Sequence, residues 1–212
     1  MTTQSKNAGK NVSLRILVEC GLMIAAAFVL SLIPIYQMPY GGKVTLFSMA
    51  PIMIIALRHG TKWGLGCGFV YSCIKLIFGL SDVMYVSGAL AVTLCILLDY
   101  TFAFTALGLS GLFNNAKLIK DEKKNKLVTT TAGVSLAVTL RFLCHLVSGA
   151  VVWYTLTKGW ETDAGHIVNR YGMWMYSFLY NATYMLPELI LCVIAVPVLV
   201  KLLAQIDKIS AK

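Results

Sequence analysis

Residues 171–204 read YGMWMYSFLYNATYMLPELILCVIAVPVLVKLLA, an apolar stretch in which only Glu188 and Lys201 carry charge. About 20 apolar residues suffice for a helix to cross the roughly 30 Å hydrocarbon core of a bilayer. This stretch exceeds that length, so it predicts a membrane-spanning helix. The fold of the whole chain therefore depends on how many stretches of this kind precede it.

Five more apolar stretches precede it, each bounded by Gly, Pro or charged residues of the kind that end helices. The second stretch is short for a membrane span and contains Pro51, so we expect it to be tilted, broken or partly sheltered by protein. The six predicted helices cover residues 12–36, 44–57, 63–80, 84–113, 127–156 and 171–204.

Composition supports a membrane protein over a water-soluble one. The 212 residues are 58% hydrophobic and 13% charged, and the mean hydropathy is +0.76, outside the range of soluble domains. We therefore predict an all-α integral membrane protein with six transmembrane helices. Residues 12–204 form the predicted membrane domain, between a cytoplasmic N-terminal tail at 1–11 and a cytoplasmic C-terminal tail at 205–212.

The net charge of +9 is distributed in a way that predicts orientation. If the N-terminus lies inside, 13 of the 18 Lys and Arg residues fall on cytoplasmic segments and three on outer segments. The excess of positive charge on cytoplasmic loops therefore places both termini in the cytoplasm. The basic run at 117–126 is then an anchor to anionic lipid headgroups, and we do not expect nucleic-acid binding.

Several kinds of chemistry lack their sequence signals. The six cysteines lie inside apolar stretches without metal-ligand spacing, so neither a metal nor another cofactor is expected. No GxxxxGK[ST] loop occurs, so the chain does not cradle ATP phosphates itself. Concentrative transport would need energy from partner proteins.

Ionisable side chains inside the predicted helices are the main functional signal, because charge in hydrocarbon costs about 3 kcal/mol or more per group. Two of them, Glu19 and Lys75, lie near helix ends, where snorkelling or a local ion pair explains them. Asp99 lies far from both ends of its predicted helix, so it must face protein, water or ligand. The set comprises Glu19, Lys75, Asp99, Arg141, His145 and Glu188.

The fifth predicted helix carries a polar and aromatic face, because Arg141, His145, Gly149 and Trp153 are spaced by four. At about 1.5 Å per residue, His145 lies about 17 Å below its helix end and Asp99 about 22 Å below residue 84. Two residues of the sixth helix lie at comparable or shallower depth, so we expect one outward-opening cavity. Those two residues are Tyr176 and Asn181.

An acid, a histidine and an amide supply hydrogen bonds, and aromatic faces stack on rings and attract cations, so this cavity suits a polar aromatic ligand, including a cationic one. The aromatic residues are Tyr100, Trp153 and Tyr176. An alternative stays open in which the polar groups only hold helices together. Asp99 and Arg141 would then neutralise each other, while His145 and Asn181 would make interhelical hydrogen bonds. In either case Arg141 could pair with Asp99 or with Glu188.

Several segments together carry a family resemblance that covers nearly the whole chain. They are GGKVTLFSMAPI from Gly41, LLDY ending at Tyr100, GLSGLF from Gly108, Arg141 with His145 and Trp153, and Tyr176 with Asn181. In order and spacing they resemble the substrate-binding S component of energy-coupling-factor vitamin transporters, thiamine-specific type. The resemblance implies a bacterial plasma-membrane protein that binds thiamine tightly from outside.

The resemblance also implies roles for residues and partners. Asp99 would hold the aminopyrimidine beside Tyr100, with His145, Gly149, Trp153, Tyr176 and Asn181 completing the site and Tyr85 a weaker candidate. A transmembrane coupling subunit, docked on the small residues Gly21 and Ala25, and two cytoplasmic ATPases would complete the transporter. The segments 36–43 and 157–170 are candidate lids.

Three alternatives remain at this point. The chain would be an intramembrane enzyme if Asp99, Arg141 and His145 served as acid, anchor and base. It would be a scaffold if its polar groups only fixed helix packing. It would be an S component for another vitamin if the pocket fitted a different ring.

Overall fold

A computed structural model describes residues 3–210, with side chains placed for residues 14–209. Six helices of ten residues or more are found in this part of the chain. They are α1 (Thr3–Ser31), α2 (Ala50–His59), α3 (Thr61–Phe78), α4 (Ala89–Gly111), α5 (Glu122–Trp160) and α6 (Met173–Ser210). Single helical turns occur at Pro39–Gly41, Leu80–Val83 and Ile167–Arg170.

Four of these helices, α1, α4, α5 and α6, are long and apolar enough to cross a membrane. Large apolar side chains on their outer surfaces stay exposed, among them Leu22, Leu90 and Ile194. The chain is therefore a helical membrane protein whose apolar surface suits lipid contact.

The predicted end of the first helix and the predicted start of the second are wrong. Residues Pro34–Gln37 form a strand, β1, which pairs in antiparallel fashion with β2, Lys43–Thr45. Proline lacks an N–H donor and disfavours helical geometry in the residue before it, so α1 ends at Ser31 rather than residue 36. We call the end of the bundle that carries these strands the hairpin end.

Helix α2 begins at Ala50, six residues later than predicted, because Val44 and Thr45 belong to β2. Pro51 lies in its first turn, where a missing N–H costs nothing. All residues from Ala50 to Ala56 are buried. Helices α1, α3, α4 and α6 surround α2, so this short helix is sheltered by protein, one of the three expectations for it.

Helix α4 begins at Ala89 instead of residue 84, after Gly88 at φ 94°. The shorter helix changes the depth of Asp99, which lies about 15 Å below the start of α4 rather than about 22 Å. Asp99 is therefore closer to the hairpin end than expected.

Helices α5 and α6 are longer than predicted. Asp121 caps the start of α5 by accepting a hydrogen bond from the Lys124 N–H at 3.0 Å, so the helix begins five residues earlier. Helix α6 continues to Ser210, into the segment expected as a tail. At Gly133 of α5 an added Cβ would lie 1.9 Å from the Ser110 carbonyl oxygen, so the absence of a side chain allows α4 and α5 to touch.

Candidate functional site

Two π-helical segments lie where α4 and α5 pack together. One is Ile96–Phe102 in α4 and the other is Gly149–Trp153 in α5. A π turn widens the helix by forming i→i+5 hydrogen bonds, and such turns are frequent at functional sites. Asp99 lies within the first segment, and Ser148 and Trp153 lie at the two ends of the second.

Asp99 is the centre of a hydrogen-bond cluster. Its Oδ2 accepts from the Ser148 hydroxyl at 2.6 Å and from Trp153 Nε1 at 2.8 Å. Its Oδ1 lies 3.0 Å from His145 Nδ1. The structure thus brings together three of the predicted site residues, Asp99, His145 and Trp153, which come from two helices.

No lysine or arginine forms an ion pair with Asp99 among the side chains of residues 14–209. Arg141 pairs instead with Glu188, whose carboxylate lies 3.3 Å from the guanidinium. Of the two partners expected for Arg141, the structure therefore selects Glu188. The carboxylate of Asp99, with a side-chain exposure of 14%, is held by donors that carry no fixed charge.

Arg141 also determines which nitrogen of His145 carries hydrogen. Its Nε donates to His145 Nε2 at 3.4 Å, and a guanidinium has no acceptor, so Nε2 must accept. Nδ1 then carries the hydrogen and donates to Asp99. The guanidinium stacks over the Phe104 ring at 4.7 Å, which fixes its position further.

Gly149 faces α6 rather than Asp99. A Cβ added there would lie 2.3 Å from Ser177 Oγ and 3.0 Å from Asn181 Nδ2, so this glycine allows close packing of α5 on α6. Ser148 lies three residues after His145, on the same α-helical face, and donates to Asp99. The wider π turn that follows brings Trp153, five residues after Ser148, back to that face. The signal that could have found Ser148 is its spacing of three from His145.

Asn181 connects α6 to α5 through hydrogen bonds. Its amide nitrogen donates to the carbonyl oxygen of His145 at 3.2 Å and to that of Ser177 at 2.9 Å. Its own carbonyl oxygen accepts from the Tyr184 hydroxyl. This predicted site residue therefore contacts the backbone of His145 and not the side chain of Asp99.

An aromatic ladder follows α6 from the hairpin end towards His145. Tyr176, Tyr180 and Tyr184 are spaced by four, with neighbouring ring centroids 5.8 and 6.1 Å apart. The lower ring, Tyr184, lies 6.4 Å from the ring of His145. Tyr176 is thus part of a continuous aromatic path that leads to the Asp99 cluster.

Two predicted site residues do not join this cluster. The hydroxyl of Tyr100 donates to the carbonyl oxygen of Gly79 at the end of α3. Tyr85 lies at the surface, where its ring packs edge-on against Trp160 with centroids 5.6 Å apart. Consecutive residues on a helix point in different directions, so Asp99 and Tyr100 do not share a face here.

The hairpin is clasped onto the rest of the bundle. The hydroxyl of Tyr180 donates to the carbonyl oxygen of Pro39 and accepts from the Gly42 N–H. Tyr40, at φ 65°, donates to Glu161 Oε2 at 2.9 Å. Such a backbone conformation is unfavourable for a non-glycine residue and persists where surrounding contacts hold it. Both segments expected as lids are therefore joined to each other above the Asp99 cluster.

The Tyr40–Glu161 contact shifts the pKa of both groups. The pKa of Glu161 is lowered, first because the Asp163 N–H donates to its carboxylate and then because Tyr40 does. The pKa of Tyr40 is raised, mainly by the same hydrogen bond to Glu161. We call the hydrogen bond between Tyr40 and Glu161 the clasp. Each pKa shift favours the form that keeps the clasp, a charged carboxylate and a neutral phenol.

The opposite end of the bundle holds an ion-pair network and a cavity of about 380 Å³. Arg58 lies 2.9 Å from both Glu19 and Asp207, and His59 lies 3.0 Å from Glu19. The local ion pair expected for Glu19 is therefore found. Around Asp99, where we expected an outward-opening cavity, the side chains of His145, Ser148 and Trp153 contact the carboxylate directly.

Comparison with known proteins agrees with this architecture. The sequence pattern of the thiamine transporter protein family matches residues 17–208. The chain belongs to that family. The thiamine transporter ThiT of Bacillus subtilis strain 168 is 34% identical over 184 residues, which cover 84% of this chain and 86% of the relative. ThiT of Lacticaseibacillus paracasei is 24% identical, over 90% of this chain and 89% of the relative.

A solved structure shares the fold of this thiamine transporter family member. ThiT from Listeria monocytogenes superposes with a TM-score of 0.68 at 22% identity, covering 89% of this chain and 94% of the other. The resemblance drawn from the residues is thereby confirmed. The chain is a multi-pass protein of the cell membrane, and because its family consists of transporters, it is not an enzyme.

Proposed function

We propose that this chain is the high-affinity thiamine-binding component of an uptake transporter and that Asp99 is the centre of its binding site. The observation that carries the proposal is a carboxylate in the membrane domain that has no Lys or Arg partner among residues 14–209. A charge in this setting is costly unless a ligand or partner compensates it. The thiamine transporter relatives agree with a cationic ligand.

The chemistry around Asp99 matches the two rings of thiamine. The aminopyrimidine offers an amino group, which would donate to the carboxylate in place of one of its protein donors. The thiazolium carries a fixed positive charge, which aromatic faces attract. Trp153 and the ladder Tyr176, Tyr180 and Tyr184 supply such faces along one side of the cluster.

We also propose that all six helices cross the membrane with both termini inside, as the placement of Lys and Arg predicts. The hairpin end then faces outwards, and thiamine enters from that side. The clasp between Tyr40 and Glu161 would open to admit it. This orientation supports uptake rather than export.

The partners in this proposal are a transmembrane coupling subunit and two cytoplasmic ATPases. Gly21 and Ala25 of α1 are exposed, and a Cβ added at Gly21 would meet no atom within 4 Å. This small-residue face is therefore not used for packing inside the bundle. Small residues permit close approach of a second helix, so the face suits the coupling subunit.

The experiment that tests the proposed function is ligand identification on the purified chain. Mass spectrometry of the protein from cells grown with thiamine should find thiamine in a 1:1 ratio, and titration of stripped protein should quench tryptophan fluorescence. A different bound vitamin would replace thiamine in the proposal. The absence of binding to thiamine would overturn it.

The clasp gives a pH-dependent prediction. The lowered pKa of Glu161 means that its contribution is present at neutral pH and is lost as pH falls through that pKa. Bound thiamine should therefore dissociate faster in acid, as measured by stopped-flow tryptophan fluorescence. Tyr40→Phe keeps the ring beside Trp160 but removes the hydroxyl, so release should be fast already at neutral pH.

The matched control for this prediction is Tyr171→Phe, a change of the same kind at an exposed residue near the start of α6. It should leave both the release rate and its acid dependence as in the wild type. His166 lies 4.0 Å from Glu161, so His166→Gln is needed to assign the effect to the carboxylate. Acid-independent release in the wild type would contradict the proposed clasp.

A further inference from the structure

A continuous chain of hydrogen bonds connects Asp99 with the hairpin. Asp99 Oδ1 contacts His145 Nδ1 at 3.0 Å, and His145 Nε2 contacts Arg141 Nε at 3.4 Å. Arg141 reaches Glu188 Oε2 at 3.3 Å. Glu188 Oε1 then accepts from both the N–H and the hydroxyl of Thr45 in β2, at 2.8 and 2.7 Å.

The chemistry of these groups allows only one direction of donation. Arginine only donates and a carboxylate only accepts, so Thr45 and Arg141 both donate to Glu188. Because Arg141 also donates to His145, the histidine donates to Asp99 through its other nitrogen. Donor and acceptor cannot exchange roles in any of the middle hydrogen bonds, so such an exchange cannot compensate for a change at one end of the chain.

Glu188 is the branch point of this chain. It is 3% exposed, and its two oxygens serve different elements, β2 through Thr45 and α5 through Arg141. Neutralising Arg141 would require only one of these contacts. The two bonds from Thr45 hold the strand that follows the clasped loop directly against the helix that carries the aromatic ladder.

We propose that Glu188 is a positioning residue that couples the hairpin to thiamine binding, acting on His145 through Arg141. The proposal rests on thiamine binding at Asp99. A ligand amino group that bonds to Asp99 changes the contact with His145, and the change passes through Arg141 and Glu188 to Thr45. Coupling between two sites is reciprocal, so a hairpin held by Glu188 strengthens thiamine binding in return.

The first test compares two substitutions at Thr45. Thr45→Val removes the hydroxyl, which donates to Glu188 at 2.7 Å and also lies 2.6 Å from the Ser48 hydroxyl, while keeping the shape and leaving all buried charges paired. We expect about fivefold faster thiamine release, the low end of typical coupling between sites. Thr45→Ser keeps the hydroxyl and should restore the wild-type release rate.

Thr93→Val is the matched control for this substitution. Among the side chains of residues 14–209, the Thr93 hydroxyl bonds only to the carbonyl oxygen of Ala89 in its own helix, so its removal should leave release unchanged. Thermal unfolding checks that each variant is folded. A midpoint within a few degrees of the wild type corresponds to a small change in stability.

The second test asks whether the effect of Thr45 passes through His145. In a His145→Gln background the chain is interrupted, so adding Thr45→Val should change neither affinity nor release rate further. A merely structural role of Thr45 predicts additive effects instead, because independent sites add. Glu188→Gln, measured in the same two backgrounds, should show the same dependence on His145.

The outcomes separate this coupling from the proposed function. The coupling alone is overturned if the wild type binds thiamine and either of two results is found. One is that Thr45→Val and Thr45→Ser behave alike. The other is that the effects of Thr45→Val and His145→Gln are additive. Wild-type protein that does not bind thiamine overturns the proposed function and the coupling with it. Rescue by serine together with a lost effect in the His145→Gln background supports the coupling.

Discussion

Replacing Asp99 by asparagine should weaken thiamine binding at least about tenfold, because a hydrogen bond to a charged group contributes about 1.5–3 kcal/mol and about 1.4 kcal/mol is a factor of ten. Asparagine keeps the size of the side chain but removes its negative charge and presents an amide N–H₂ to donors such as Ser148 and Trp153. Isothermal titration of the purified protein with thiamine measures the change.

Two controls sharpen this prediction. Asp82→Asn removes an exposed acid in the turn before α4 and should leave affinity unchanged, which separates contact from long-range charge. Oxythiamine carries an oxo group in place of the amino group. It should bind the wild type weakly, because an oxo group has no N–H to donate to Asp99. If Asp99→Asn binds thiamine with the same affinity as the wild type, Asp99 does not belong to the binding site.

Without ligand, the Asp99→Asn protein should be about as stable as the wild type, because two effects oppose each other. The substitution removes the cost of a largely buried carboxylate that has no Lys or Arg partner among residues 14–209, but it loses hydrogen bonds that Ser148 and Trp153 donate. Thermal unfolding of ligand-free protein should therefore show only a small change in the midpoint. A large fall in the midpoint would indicate that Asp99 holds the helices together, the alternative in which the polar cluster is purely structural.

Replacing Trp153 by alanine should also weaken thiamine binding by about tenfold or more, since it removes both an aromatic face for the cation and the indole N–H that donates to Asp99. Trp153→Phe keeps a ring but removes the N–H, so we expect a smaller loss. The difference between the two variants, measured by the same titration, gives the contribution of the ring.

Trp174→Ala is the matched control, because Trp174 is 50% exposed on α6, outside the Asp99 cluster. It should bind thiamine like the wild type. Equal losses for Trp153→Ala and Trp174→Ala would point to a general effect on folding. A larger loss for Trp153→Phe than for Trp153→Ala would contradict the role assigned to the ring.

Some of the site was predictable from local pattern. Asp99, His145 and Trp153 stood out as polar or aromatic residues in apolar helices, and the structure joins them through direct hydrogen bonds. The spacing of four also placed Arg141 beside His145 correctly. The structure brings these residues together as expected, because the cost of polar groups in lipid depends little on how the helices pack, and their role in binding stays a prediction.

Other parts of the site depended on long-range contacts. The strand pair near Pro34 joins residues that the hydrophobic pattern assigned to helices. The choice of Glu188 over Asp99 as partner of Arg141 depended on the packing of α5 against α6 and on Thr45, which is far away in sequence. No spacing rule connects such residues.

Hydrophobic length, charge placement and isolated polar residues determined from sequence alone that this is a helical membrane protein with a polar cluster among its later helices. The tertiary structure decided which side chains meet there. The π turn in α5 brings Trp153 to the side of the helix that carries His145 and Ser148, so that all three contact Asp99. The physical reason is that helix formation follows from local apolar runs, whereas a widened turn is retained only where packing against another helix stabilises it.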